Sequence, residues 1–268
     1  MDTTNKRIEE IKKEGYQLDF TTVFGNAFEN YKKIALTVGL LFIIVGIIVI
    51  AIAALVATVF FGFNMDYFVE NSQEMEKFKF SSLPTIYLLL YVIGMVVFTA
   101  ITSPITAGVL KIAHNARINQ EVSIGTAFDF YKQPYFKELF VSTSLIAFFS
   151  VIVNLIFETV GFAFIGVFFT YVVSFFTFLT IPFIIFGNLK AIDAIQASFT
   201  VVSKNILILV GLLICAALFV LIGMIACCIG ILFTMPFIYS MYYSIYNEVI
   251  GVGVNDEIDE INGVQTWN

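Results

Sequence analysis

Asn154 and Glu158 stand four residues apart inside the apolar run "LIAFFSVIVNLIFETVG" (145–161), so one face of a helix carries an amide and an acid together. Glu158 is the only acid inside an apolar block other than at a block's end. An ionisable group at membrane depth is costly, and it marks a functional position unless it reaches water. A second pattern is the stripe Thr99, Thr102, Ser103 and Thr106, spaced i, i+3, i+4 and i+7 beside Ala100, Ala107 and Gly108. Hydroxyls and small residues on one helix face let a neighbouring helix approach and hydrogen-bond. They can equally form the polar wall of a substrate path. The two patterns together supply one acid, one amide and four hydroxyls, too few charges for a typical proton or ion relay.

Other chemistry is largely excluded. His114 is the only histidine, so neither an HExxH zinc site nor a facial triad needing two histidines can be assembled within the chain. A serine triad could use only His114, which the sequence places in a basic, solvated loop. No Walker A run and no GxGxxG fingerprint occurs. Cys215, Cys227 and Cys228 read as small apolar residues of a buried span. The sequence therefore points to no catalytic residue, no metal and no cofactor.

Positioning such groups requires membrane-spanning helices. The 268 residues are 59% hydrophobic and 13% charged, about half the charged share of a soluble domain. The apolar residues form the blocks 34–63, 83–113, 139–186 and 206–250. At about 20 residues per span, the first two blocks are one helix each and the last two are long enough for two. Breaks are expected at "ETVG" (158–161) and "CCIG" (227–230). The expected class is an all-α integral membrane protein with six transmembrane helices. Lys6, Arg7, Lys12, Lys13, Lys32 and Lys33 precede the first block, and Lys111, Arg117, Lys132, Lys137, Lys190 and Lys204 flank alternate connections. Lys77 and Lys79 of the first connection are diluted by acids. The positive-inside rule then puts both termini in the cytoplasm, and no cleaved leader is expected.

Repetition organises the spans. "GNAFENYK" (25–32) is nearly repeated as "GTAFDFYK" (125–132). Phe24, Ala27, Phe28 and Tyr31, and likewise Ile124, Ala127, Phe128 and Tyr131, follow the spacing of one helical face. Asn26, Glu29, Asn30 and Lys33 take the opposite face of the first copy, as Thr126, Asp129 and Gln133 do in the second. Thr22 and Ser123 occupy N-cap positions. Each stretch is expected to be a short cytoplasmic helix whose apolar anchors (Phe24, Phe28, Tyr31; Ile124, Phe128, Tyr131) lie in the headgroup boundary. "AIDAIQASFTVVSKN" (191–205) is a degraded third copy, with a rotated stripe of Ile192, Ile195, Phe199 and Val202. Thr102-Ser-Pro104, Thr180-Ile-Pro182 and Thr234-Met-Pro236 mark the returning spans, where proline predicts kinks and the Thr hydroxyls can occupy backbone acceptors. The expected organisation is a cytoplasmic segment (1–20), a membrane domain (21–250; three hairpin repeats at about 21–113, 122–189 and 191–250, each led by its amphipathic helix), and an acidic solvated tail (251–268).

The combination of "FGNAFENYKK", "EVSIGTAFDFYK", "AIDAIQASFTVVSKN" and "CCIGILFTMPFIYSMYYSIY" resembles a broad bacterial group of six-span membrane proteins of unknown function. That group is similar to the YciC-like inner-membrane proteins and to the membrane domain of some glycerophosphoryl diester phosphodiesterases. The resemblance runs from about Leu18 to Gly251 and brings no catalytic residues. It implies a bacterial inner-membrane protein connected with membrane upkeep or a larger assembly. Two functional classes follow. The favoured one is a non-enzymatic accessory or scaffold subunit whose partners are membrane lipids and other integral membrane proteins, not nucleic acid. The alternative is a permease or lipid-handling protein with a groove between kinked hairpins, where Thr99, Thr102, Ser103, Thr106, Asn154 and Glu158 would form the polar path.

Overall fold

A computed structural model of the chain describes residues 3–61, 84–132, 134–225 and 230–252. The expectations for Lys77 and Lys79, Gln133, Cys227 and Cys228, most of the "CCIG" break, and the tail beyond residue 252 lie outside the described residues. In order, the elements are α1 (Thr3–Glu14), α2 (Phe20–Phe61), α3 (Thr85–Arg117), a 3-10 helix (Gly125–Tyr131), α4 (Tyr135–Thr159), α5 (Ala163–Thr177), α6 (Thr180–Ile185), α7 (Ala191–Lys204), α8 (Ile206–Ile225), α9 (Gly230–Thr234) and α10 (Pro236–Val249). No strand occurs among the described residues. Five helical stretches are long and apolar enough to cross a membrane: Phe20–Leu55, Thr85–Arg117, Tyr135–Thr159, Ala163–Ile185 and Ile206–Met224. This is a multi-pass helical membrane protein. The sixth expected span is divided at Met235 into α9 and α10.

The end of the bundle that carries most of the Lys and Arg residues, called here the basic end, holds the core. Fully buried there are Val23, Ala27 and Ile34 of α2, Ile112 and Ala113 of α3, and Phe237, Met241 and Ile245 of α10. The charged N-terminal segment also joins this core. α1 buries Thr4 and Ile11, its Arg7 Nε donates to Val249 O at 3.1 Å, and Tyr16 Oη donates to Val201 O at 3.2 Å. Burial pushes the Tyr16 phenol above its ordinary range.

Several local expectations are corrected. The first amphipathic stretch is no separate helix: α2 continues through Lys32 and Lys33, good helix formers with no breaker beside them. Its cap is Asp19, whose Oδ2 accepts from Thr22 N at 2.6 Å, so Thr22 lies inside the first turn. Hydrogen bonds from Thr22 hold the Asp19 carboxyl below its usual range. Ser123 does accept from Gly125 N, at 3.2 Å. The polar face of α2 is not simply solvated. Asn30 Nδ2 donates to Ala113 O at 2.9 Å and Lys33 Nζ to Ala116 O at 3.0 Å, covering carbonyls where α3 ends. His114 is likewise no loop residue, because α3 extends to Arg117. Its ring is 8% exposed, lies 5.5 Å from Phe186 between centroids, and its Nδ1 is 3.1 Å from Tyr243 Oη.

Each amphipathic stretch rests on a proline-bearing return. Ser240 Oγ donates to Ala27 O at 2.7 Å. Gly108 lies so close to the Ala127 backbone that a Cβ has no room. Ser198 Oγ donates to Phe176 O at 2.8 Å and accepts from Leu179 N at 3.2 Å. Small residues make these approaches, as helix packing in lipid requires.

The three prolines behave differently. α3 runs unbroken through Pro104, whereas turns at Phe178–Leu179 and at Met235 interrupt the other two returns. Proline deprives the carbonyl four residues back of its donor. At Pro104 that carbonyl is Ala100 O, and Ser103 Oγ donates to it at 2.8 Å. Ile181 and Met235, which precede the other prolines, have no hydroxyl to offer. Thr102 Oγ1 bonds Phe98 O and Thr234 Oγ1 bonds Gly230 O, but Thr180 Oγ1 is buried with no partner among the described residues.

Gly108→Ala should therefore destabilise the protein by about 1–3 kcal/mol through overpacking, read as a lowered Tm in detergent. Gly46→Ala, whose Cβ would meet nothing within 4 Å, should leave Tm unchanged or slightly raised.

Candidate functional site

Away from the basic end, α3, α4 and α5 enclose a cavity of about 390 Å³, within the usual size range of ligand pockets. α3 contributes Tyr91, Met95 and Thr99; α4 contributes Thr143, Ile146, Ala147, Ser150, Val151, Asn154, Leu155 and Glu158; α5 contributes Thr170 and Ser174. α4 and α5 form a tight hairpin, closed at Gly161 with φ of 84°, a conformation that favours glycine. Their approach is set by Gly166, where a Cβ would come within 3.0 Å of Asn154 Oδ1 and 3.1 Å of Asn154 Cα.

Asn154 is held from both helices of that hairpin. Its Nδ2 donates to Thr170 Oγ1 on α5, and to Ser150 O in its own helix at 3.3 Å. Thr170 Oγ1 in turn lies 3.2 Å from Gly166 O. Thr99 Oγ1 donates to Met95 O at 2.8 Å and Thr143 Oγ1 to Leu139 O at 2.6 Å. Three hydroxyls thus spend their protons on carbonyls of their own helices, a common arrangement for Thr in an apolar setting. What they leave facing outward is lone pairs. Glu158 stands one residue before the end of α4, near the Gly161 turn.

The structure gathers Thr99, Asn154 and Glu158 and separates the rest of the expected path. Thr102 and Ser103 serve the backbone around Pro104, and Thr106 lies beside Tyr239 of α10. The hydroxyl stripe is therefore not one wall. Sequence reasoning missed Tyr91, Thr143, Ser150, Thr170 and Ser174, although Thr143 and Ser150 stand at helical spacing with Asn154 and Glu158, and Thr170 and Ser174 are one turn apart. The one signal for Thr170 was Gly166, four residues before it on the same face.

The expected interfacial anchors also divide. Phe24, Phe28 and Tyr31 are half-buried: they surround the buried Phe237 at centroid distances of 5.6, 6.1 and 5.5 Å, and Phe28 and Tyr31 also meet Phe219. In the second copy Phe128 is 45% exposed, Ile124 packs on the core, and Tyr131 Oη donates to Ile101 O at 2.8 Å. α7 turns Ala194, Ala197 and Ser198 inward and leaves Ile192 and Phe199 outside.

A second, almost wholly apolar groove of about 640 Å³ lies between α5, α8 and α10, with Phe168, Tyr171, Phe175, Leu213, Ala217 and Ile238 on its walls. Ser174 borders both cavities. Among the described residues no three His, Cys, Asp or Glu side chains are grouped for a metal ion.

No family model, no curated protein and no solved structure matches the chain.

A double-mutant cycle of Asn154→Leu and Thr170→Val should show a coupling of about 0.6 kcal/mol, with about 1.7 as the ceiling for such pairs in membranes. Thermal unfolding of the four proteins in one detergent measures it, and additive effects would mean the two side chains do not cooperate.

Proposed function

We propose that this protein handles lipid: it takes an amphiphile from the bilayer into the cavity between α3, α4 and α5. The observation that carries this reading is the assembly of Thr99 of α3 with Asn154 and Glu158 of α4 around one cavity with an apolar wall of Met95, Ile146, Val151 and Leu155. A head and a chain find different surfaces there. The accessory-subunit reading has less support, because the anchors on which it relied in the first copy are spent on Phe219 and Phe237. No step in this function needs catalysis by the chain.

The proposal includes a bacterial inner-membrane setting with six spans and both termini cytoplasmic. α9 and α10 together cover Gly230–Val249, about 30 Å of helix at 1.5 Å per residue, enough for a sixth crossing. The basic end then faces the cytoplasm, and the cavity opens toward the outer leaflet. Three hairpin repeats are supported by the seats of the amphipathic stretches: Ala27 meets Ser240, four residues after Pro236, and Ala127 meets Gly108, four residues after Pro104.

Purification in mild detergent, with mass spectrometry of co-eluting lipids and proteins, tests this function. The protein should retain lipid that the cavity-filling variant Ala147→Trp loses, while co-eluting proteins stay the same. Equal lipid content in both, with proteins lost instead, would favour the accessory subunit. Single cysteines at positions 117 and 193 should be labelled only from the cytoplasmic side.

A further inference from the structure

We infer that the amphiphile occupies two compartments, its head in the cavity between α3, α4 and α5 and an acyl chain in the apolar groove between α5, α8 and α10; this rests on the lipid-handling reading above. The two spaces meet at Ser174, which lines both and is exposed. Thr170, one turn earlier on α5, lines the cavity, whereas Tyr171 and Phe175 line the groove. α5 therefore stands between the two spaces, and their junction carries a small side chain.

The packing around α5 accounts for that arrangement. α5 is fastened near its two ends. At one, Gly166 approaches Asn154 of α4 so closely that a Cβ would come within 3.1 Å of Asn154 Cα. At the other, Ser198 of α7 bonds Phe176 O and Leu179 N at 2.8 and 3.2 Å. The wall opposite is formed by α3 and α10 together, since Thr106 lies beside Tyr239. α3 supplies Met95 and Thr99 to the cavity, and α10 supplies Ile238 and Tyr242 to the groove. Neither anchor draws the middle of α5 onto that wall.

The two linings differ as a head and a chain do. Eight of the thirteen residues that line the cavity carry a side-chain oxygen or nitrogen, against three of the fourteen that line the groove, namely Ser174 and two tyrosines. The apolar compartment is also the larger, about 640 Å³ against about 390 Å³. Along α8 the groove runs from Ile206 to Ala217, about 16 Å of helix at 1.5 Å per residue, or about half the thickness of a bilayer's hydrocarbon core. That length suits one extended chain of one leaflet. α5 and α8 both belong to segments long and apolar enough to span a membrane, which places the groove among lipid chains.

For the test, the full chain in mild detergent is titrated with dioleoyl and dihexanoyl forms of phosphatidylglycerol and phosphatidylethanolamine, and bound lipid is read by native mass spectrometry. Ala217 is exposed on the groove wall, so Ala217→Trp fills the groove without entering the core. Ala217→Trp and Ser174→Trp should each weaken dioleoyl binding by about tenfold, a modest loss because the groove competes with detergent that is equally apolar, and leave dihexanoyl binding unchanged. Ala147→Trp should weaken binding of both chain lengths. Dioleoyl binding unmoved by Ala217→Trp but lost with Ala147→Trp, or an equal loss of both chain lengths with Ala217→Trp, overturns the two-compartment site and leaves the lipid cavity standing. Loss of a dimer with Ala217→Trp, in place of lipid, makes the groove a contact between copies and overturns it too. Binding indifferent to Ala147→Trp overturns the lipid-handling reading, and this inference with it.

Discussion

The structure depends on the contact between the start of α2 and α10. Ser240 donates to the carbonyl of Ala27 across 2.7 Å, and beside it Phe237 sits fully buried among Phe24, Phe28, Tyr31 and Phe219. This joins the first amphipathic stretch to the last proline-bearing segment, residues 213 apart in sequence. In lipid the apolar effect does not draw helices together, so association rests on close packing and hydrogen bonds. Both are present here: a small residue that allows approach, a hydroxyl that uses a backbone acceptor, and aromatic edges around one ring. The seats of Ala127 on Gly108 and of Ser198 on the α5–α6 turn repeat the device within the chain. The contact of α2 with α10 brings the two ends of that series together.

A well-packed basic end frees the opposite half to differ. Between α3, α4 and α5 the side chains do not fill the space, and polar groups remain that packing alone does not require. The α4–α5 hairpin is fixed locally, by Gly161 at the turn and by Gly166 against Asn154. The cavity is thus bounded on one side by a stiff hairpin and on the other by the half of α3 away from the basic end. Pro104 lies just beyond Thr99, and its lost hydrogen bond is replaced by Ser103. The hydroxyls of one sequence stripe therefore split between building the helix and lining the cavity.

Much of this fold was legible in the residues. The apolar blocks located the spanning helices, because lipid forces the backbone to satisfy itself within a segment. The octapeptide repeat located two of the segments that seat on returns. Its pattern was right about one apolar face and silent on what covers that face. Phe28 looks the same in sequence whether a lipid headgroup or Phe237 lies against it. His114 was misread because basic neighbours suggested a loop, whereas α3 simply runs past the apolar block and turns the ring onto Phe186 and Tyr243. α1 was not foreseen, since its charged surface hides only two buried side chains, Thr4 and Ile11. Of the cavity, Asn154 and Glu158 were visible by their rarity. Thr143 and Ser150, on the same face of α4, were not, since a hydroxyl among apolar residues is ordinary in membrane helices, and only tertiary structure brings Thr170 to them.

Disulfide trapping between positions 27 and 240 tests the central contact most directly, since a disulfide forms only between Cα atoms about 4.4–6.8 Å apart. With Cys215, Cys227 and Cys228 replaced by Ala, the pair Ala27→Cys and Ser240→Cys should cross-link on mild oxidation in native membranes, within one chain and in most molecules. The pair Ala27→Cys and Leu218→Cys, whose second position is exposed on α8, should not. Failure of the first pair to cross-link, or equal yields from both, would contradict the account.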